Sequence, residues 1–563
     1  MRTNLYAALA VIGITALSSC SSKLNPLTAD NFTITPSPLE AVGKEVPTTI
    51  NGRFPEKYMK KKAVVTVTPE LRYAGGKAVG QPATFQGEKV VGNEQTISYK
   101  MGGNYVMKSN FAYTPEMSQS ELYLTFDAKI GKKSVQIPAV KVADGVVSTS
   151  QLVYRTVESA NTAVAADAYQ RQIVQQQDAQ IKYFINQAKI RTSELNATSV
   201  QDFVKVLREI KADQKGYALD NIQVSAYASP DGALNFNTTL AENRQNTAAK
   251  YVEEQLKRTK LNTHIDAKYT AEDWEGFQEL VAQSNIQDKD VIIRVLSMYK
   301  DPEEREQQIK NLSLAFRELA DEVLPELRRA RLTINYRLIG RTDDEIRQQY
   351  KDEPGKLSVE ELLYAATLTS DLDERKSIFE TTTQIYPTDK RAYNGLAQVA
   401  YAKGDYAAAK TILPQAGNLT EANANAALLA LKEGHLDQAE SLIGKALTAA
   451  NYNEVLGNIQ IARGNYAQAA QSLSDVKSNS AALAQILNKD YNAARQTLAS
   501  VAHADALTAY LSAIVAARSN QAEEAVAALR KAISLDGTLA AKAARDLEFV
   551  KLSGNAAFRN LVK

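Results

Sequence analysis

At 563 residues with 66 Lys plus Arg against 64 Asp plus Glu, the chain carries a formal net charge of only +2. The two signs are interspersed, so no basic stripe marks a nucleic-acid surface and no nucleic-acid partner is expected. A single cysteine, Cys20, excludes disulfides and any Cys-based metal cage, and the length leaves room for about three to four domains.

Arg2 and the 13-residue apolar run Leu5 to Leu17 are too short to span a bilayer and read as a cleaved export signal, residues 1–19. Leu17-Ser18-Ser19-Cys20 resembles the bacterial lipobox, which implies cleavage before Cys20 and acylation of its thiol and amine. The alternative for Cys20 is a stray buried thiol. Ser21-Ser22-Lys23 places no acid beside the cysteine, which by the same resemblance implies the outer membrane, its periplasmic face before the cell surface. No later stretch approaches the ~20 apolar residues of a membrane helix, so the rest is expected to be soluble and held by its lipid. Residues 20–31 read as a lipidated, polar tether.

From 32 to 150 the pattern has period two. Ala63 to Thr68, Gln95 to Tyr99, Glu121 to Phe126 and Ser134 to Ile137 are short strand-like runs parted by glycines, as in an antiparallel β-sandwich. Residues 151–180 lose the glycines and are rich in Ala, Gln and Asp, which predicts a helical connector. Then follow a strand (Ile181 to Ile190), a helix (Val200 to Lys211), a strand (Asn221 to Ala228) and a helix (Leu240 to Arg258), an order that puts two helices on one face of a small sheet.

Residues 222 to 252 resemble the OmpA C-terminal, peptidoglycan-associating fold: Gly232, Asn237, Leu240 and Arg244 stand at the family's Gly, Asn, Leu and Arg positions. The resemblance covers 181–340, with strands at His264 to Tyr269 and Arg328 to Tyr336 and a helical insertion at about 272–325 that contains Trp274, the only tryptophan. In that family a turn Asp and the Arg hold a zwitterionic peptidoglycan stem residue, a task that needs a cation facing an anion. Here Ser229 occupies the Asp position and Asp231 lies two residues on. Either Asp231 reaches the ligand from a reshaped turn, with Arg244, Ser229 and Asn237 as the rest of the site, or the fold was kept and the ligand lost.

After a linker at 341–357, residues 358–563 are Ala-rich and helical. Gly404-Asp405-Tyr406, Gly434-His435-Leu436 and Gly464-Asn465-Tyr466 recur at 30-residue spacing, each with Ala three residues beyond its last member, which means stacked helical hairpins. The unit resembles the tetratricopeptide motif. About six units are expected, weaker ones around Tyr491 and Ala525 and an earlier one from Val359 to Pro387. The resemblance implies a concave groove for a peptide or partner helix, lined by Arg391, Asn394, Gln398, Tyr401, Leu428, Leu431, Glu454, Asn458 and Ile461; the alternative is that these are exposed helix faces.

His264, His435 and His503 stand in separate segments, and no nucleophile elbow, phosphate loop or His-Glu-x-x-His helix is present. No catalytic, metal or cofactor site is expected, apart from the covalent diacylglycerol and acyl lipid on Cys20. The expected whole is a multidomain α+β lipoprotein: sandwich, OmpA-like domain with helical insertion, and tetratricopeptide α-solenoid. Its expected work is scaffolding of envelope proteins, with tethering to peptidoglycan as the alternative.

Overall fold

A computed structural model describes residues 23–286, 289–311 and 313–563. The export signal and Cys20 lie outside the described residues. The chain forms two compact units, one made of the residues up to Ala166 together with Thr369–Lys563, the other of Asp167–Leu368.

The first unit opens with sheets. Phe32–Thr35, Glu45–Phe54 and Gly103–Ala112 form one, antiparallel throughout. Ala63–Tyr73 and Glu121–Ile130 are the centre of a second. Strict alternation along Glu45–Phe54 buries Val46, Ile50 and Phe54 completely, and these meet Val65, Val67, Leu122 and Leu124 of the other sheet in one core, as period-two patterning requires. Leu24 and Leu27 are buried in that core as well. The expected polar tether is therefore shorter than residues 20–31, because two leucines of that stretch have apolar surface to cover.

Residues 369–563 are helical. Five hairpins stack in sequence: Lys390–Ala402 with Tyr406–Ile412, Thr420–Lys432 with Leu436–Ile443, Tyr452–Ala462 with Tyr466–Ser472, Asn479–Leu487 with Tyr491–Ala499, and Ala506–Arg518 with Ala522–Leu535. Between the two helices of the first three stand Gly404, Gly434 and Gly464 at φ 76°, 77° and 82°, the left-handed conformation in which glycine pays no Cβ penalty. In the last two the same place is held by Lys489 (φ 65°) and Asn520 (φ 58°), so the turn persists where the glycine does not. The array starts at Leu372–Ile385. The helix Val359–Ala365, expected to belong to an earlier repeat, lies in the other unit, where Arg341 pairs with Glu361 at 2.8 Å and Tyr364 stacks on Tyr169.

The expected helical connector is the main correction. Only Val153–Thr156 is α-helical, between single 3-10 turns at Thr149–Leu152 and Val157–Ser159. Ala160 is extended, residues 161–170 have no regular secondary structure, and Gln172–Lys182 is a strand, nine residues ahead of its predicted start. Residues 148 to 166 form a strap that runs along the first helices of the hairpins, with Leu152, Val153, Val157, Ala160 and Ala163 inside the hairpin core.

In the second unit, four strands run in the order Gln172–Lys182, Arg329–Ile339, Tyr217–Tyr227, His264–Thr270, the last pair parallel and the others antiparallel. The helices Thr198–Ala212 and Leu234–Thr259 supply Phe203, Leu207, Ala248 and Val252 to its core, against Ile222, Val224, Leu332 and Ile334. The expected insertion is present as short helices from Trp274–Gln283 to Leu324–Leu327 with a small core of its own around Phe277, Val281 and Leu319. It is tied to the closing strand by the buried ion pair Asp273–Arg329 at 2.9 Å. No helix of the described residues is long and apolar enough to cross a membrane.

Candidate functional site: a peptide groove filled by the chain itself

The first helices of the hairpins carry asparagines at buried positions: Asn394, Asn425, Asn458 and Asn479 are 0, 2, 0 and 2% exposed. Asparagine is a poor residue for a helix interior because its amide competes for backbone. Its recurrence there signals that the side chains are in use, and the strap is what uses them.

Asn425 grips Ala163 with both hands. Its Oδ1 accepts from the Ala163 N–H at 2.7 Å and its Nδ2 donates to the Ala163 carbonyl at 2.9 Å. Asn394 donates to that same carbonyl at 3.0 Å. Two residues back, Asn161 donates from its backbone and side-chain N–H to Glu454 and accepts on its carbonyl from Asn451 at 2.8 Å. Gln398 donates to Thr162 at 3.2 Å, Thr156 donates to Asn458 at 3.2 Å, and the Tyr401 hydroxyl donates to the Val157 carbonyl. Lys432 pairs with Glu158 at 2.8 Å. Most of these bonds go to backbone groups, so an extended peptide with no ladder partner has its polar groups satisfied by side chains instead.

The groove positions expected from sequence thus meet in one place. Asn394, Gln398, Tyr401, Glu454 and Asn458 contact the strap, and Arg391, itself bound to Asp389 at 2.6 Å, donates to the Ala166 carbonyl at 3.4 Å. Leu428, Leu431 and Ile461 are fully buried in the core that the strap completes. They are not exposed helix faces. Sequence reasoning missed Asn425 and Asn451, and it missed the occupant. Burial pushes the Tyr401 phenol and the Glu454 carboxyl above their usual ranges, and Glu454 keeps one oxygen, Oε1, without a protein donor.

The residues assigned to peptidoglycan by resemblance lie elsewhere, in the second unit, and are committed to structure. Arg244 is 0% exposed. Its guanidinium donates to the carbonyls of Gln187 (3.0 Å), Tyr227 (2.8 Å) and Phe184 (3.2 Å), and burial pushes its pKa down to about 10. Asn237 donates to the Ser229 and Gly232 carbonyls at 3.0 and 2.9 Å, which closes the turn. Asp231 accepts from Arg328 at 3.3 Å, and the same guanidinium reaches the Ser229 hydroxyl at 3.4 Å. Pro230 and Asp231 line a narrow cleft with Trp274, Phe277 and Glu306, so the insertion covers the turn that would have to open toward a ligand.

No family model matches the sequence, and no curated protein matches it. Among solved structures the chain is similar to the Cut9–Hcn1 hetero-tetramer of the APC/C, at 14% identity and a TM-score of 0.30 over 39% of this chain and 45% of that one. It thus spans less than half the length of that protein. It is also similar to a tetratricopeptide repeat protein from Parabacteroides merdae (13% identity, TM-score 0.28, 39% of this chain and 89% of that one), and to yeast Tom70 (14%, 0.25, 66% and 87%). Scores this low establish no common fold and carry no argument about function.

Proposed function

We propose that this chain is a non-catalytic outer-membrane lipoprotein, anchored through acylated Cys20, that works as a scaffold for other proteins of the envelope. One observation carries the reading: a groove of buried amides on a hairpin array of tetratricopeptide type holds an extended peptide through its backbone. That chemistry is peptide recognition, and here it joins the N-terminal sheets and the hairpins into one body that presents the remaining surface of both. The anchor rests on Leu17-Ser18-Ser19-Cys20 alone, and no cofactor beyond its lipid is needed. Tethering to peptidoglycan through Arg244 draws no support from a guanidinium already bound to three carbonyls.

The test is made on the full chain in growing bacteria fed an alkyne fatty acid, with Cys20→Ala alongside, followed by chemical cross-linking and mass spectrometry of the purified protein. Acyl label on the parent and none on Cys20→Ala, together with reproducible cross-links from residues 369–563 to envelope proteins, is the expected result. Absence of label would remove the anchor, and cross-links confined to this chain would remove the scaffold.

A further inference from the structure

The strap is held by two different kinds of contact. Its proximal part is an apolar anchor: Leu152, Val153 and Val157 are 4, 1 and 0% exposed in the hairpin core, and burial of such side chains is the strongest ordinary source of stability. Beyond Ala160 the only apolar group fully covered is the Ala163 methyl, 1% exposed, while Val164 beside it is 54% exposed. This distal part is held by hydrogen bonds, and bonds that replace water's contribute modestly. The groove here also has unused capacity. Gln398 Oε1 and Asn451 Oδ1 lack protein donors although each of these amides gives its N–H to the distal strap.

We propose that the distal half of the groove is a binding site for an extended segment of a partner protein, and that Ala160 to Ala166 closes it in cis. The inference rests on the scaffold reading. The strap itself states what the site takes. Ala160 and Ala163 are buried, so small side chains are required at two positions three apart. Glu454 receives both N–H groups of Asn161, so an amide-bearing residue is preferred directly after the first of them. Asn425 and Asn394 read only the backbone of Ala163 and Gln398 donates to the Thr162 hydroxyl, so an acceptor is preferred between the asparagine and the second alanine and the residues beyond are free to vary. The ligand is an extended Ala-Asn-x-Ala peptide, and it enters when the distal strap leaves while the proximal anchor stays seated.

The experiment uses the full chain in detergent and a fluorescein-labelled peptide with the sequence of residues 158 to 166. Ala163→Glu places a long charged side chain where a methyl is covered and expels the distal strap. The peptide should bind Ala163→Glu at least tenfold more tightly than the parent, and Asn425→Ala added to Ala163→Glu should abolish that gain. Equal binding to parent and variant, or none to a variant whose circular dichroism matches the parent, overturns the proposal. Should Ala163→Glu fail to fold, a protease site engineered at exposed Ala168 frees the distal strap by cleavage of the folded chain. Faster amide exchange at 161 to 166 and uptake of the peptide are then expected, and retained protection with no uptake is the contrary result. Envelope cross-links that persist outside the groove while the peptide fails to bind would sink this inference and leave the scaffold standing.

Discussion

Asn161 donates its backbone N–H and its side-chain amide to the same carboxylate oxygen of Glu454, at 3.2 and 3.0 Å. Glu454 is 3% exposed, and desolvation raises its carboxyl above the ordinary 4.5 in spite of the bonds from Asn161. The native state therefore holds this proton more tightly than the unfolded chain does. Its contribution to stability is fully present below pH 4.5 and is lost as pH rises through the native value. Glu454→Gln keeps an acceptor for Asn161 and removes the titration. Its melting temperature should match the parent near pH 4 and exceed it increasingly toward pH 7; a difference that does not change with pH would contradict this account of Glu454.

The turns of the hairpins offer a paired test. At Gly404 an added Cβ would meet nothing within 4 Å, so Gly404→Ala suffers only the left-handed backbone penalty, about 1 kcal/mol. Lys489 already bears that penalty at φ 65°. Lys489→Gly relieves it and gives back about 0.5 to 1 kcal/mol through the freer unfolded chain, so a small net stabilisation is expected. Urea midpoints of the helical signal should move down for the first variant and up for the second. Opposite shifts would mean that the side chains, not the turns, decide these positions.

Trp274 is the only tryptophan and sits in the insertion, its Nε1 donating to Glu272 at 3.0 Å with Arg305 over its ring at 5.7 Å. The insertion's core is separate from and smaller than that of the sheet it caps. Small cores open first, so tryptophan emission should shift to the red at lower urea than the loss of far-ultraviolet signal. Coincident transitions would show that the Asp273–Arg329 pair makes the insertion and the sheet one cooperative body.

The hairpin array was legible in the sequence because its turns need glycine and its crossings need alanine, and both recur at a fixed spacing. The sheets were legible from period two, although the edges of most strands moved by a few residues. The strap was not. Its Ala-, Gln- and Asp-rich composition favours a helix locally, but the bonds that set its conformation come from Asn394, Asn425, Asn451 and Glu454, more than two hundred residues away. Such tertiary override of propensity leaves no local trace. Its only signal was on the other side of the contact, in asparagines placed inside Ala-rich helices. Arg244 was misread for a related reason: an arginine near a helix start looks the same whether it faces a ligand or three carbonyls.

That geometry fixes what Arg244→Ala will do. Truncation removes three hydrogen bonds from a charged donor, to the carbonyls of Phe184, Gln187 and Tyr227, each worth roughly 1.5 to 3 kcal/mol, and leaves a cavity where the guanidinium stood. A loss of at least about 3 kcal/mol is expected in the second unit, seen as faster amide exchange along Gln172–Lys182 and Tyr217–Tyr227 with the hairpins unaffected. Arg244→Lys keeps the cation but has no planar fork, so it should recover only part of the protection. A cell-wall pelleting assay on Arg244→Ala alone would therefore confound unfolding with lost binding. Retained exchange protection in Arg244→Ala would mean that the three carbonyls find other donors, and would return Arg244 to the list of residues free to meet a ligand.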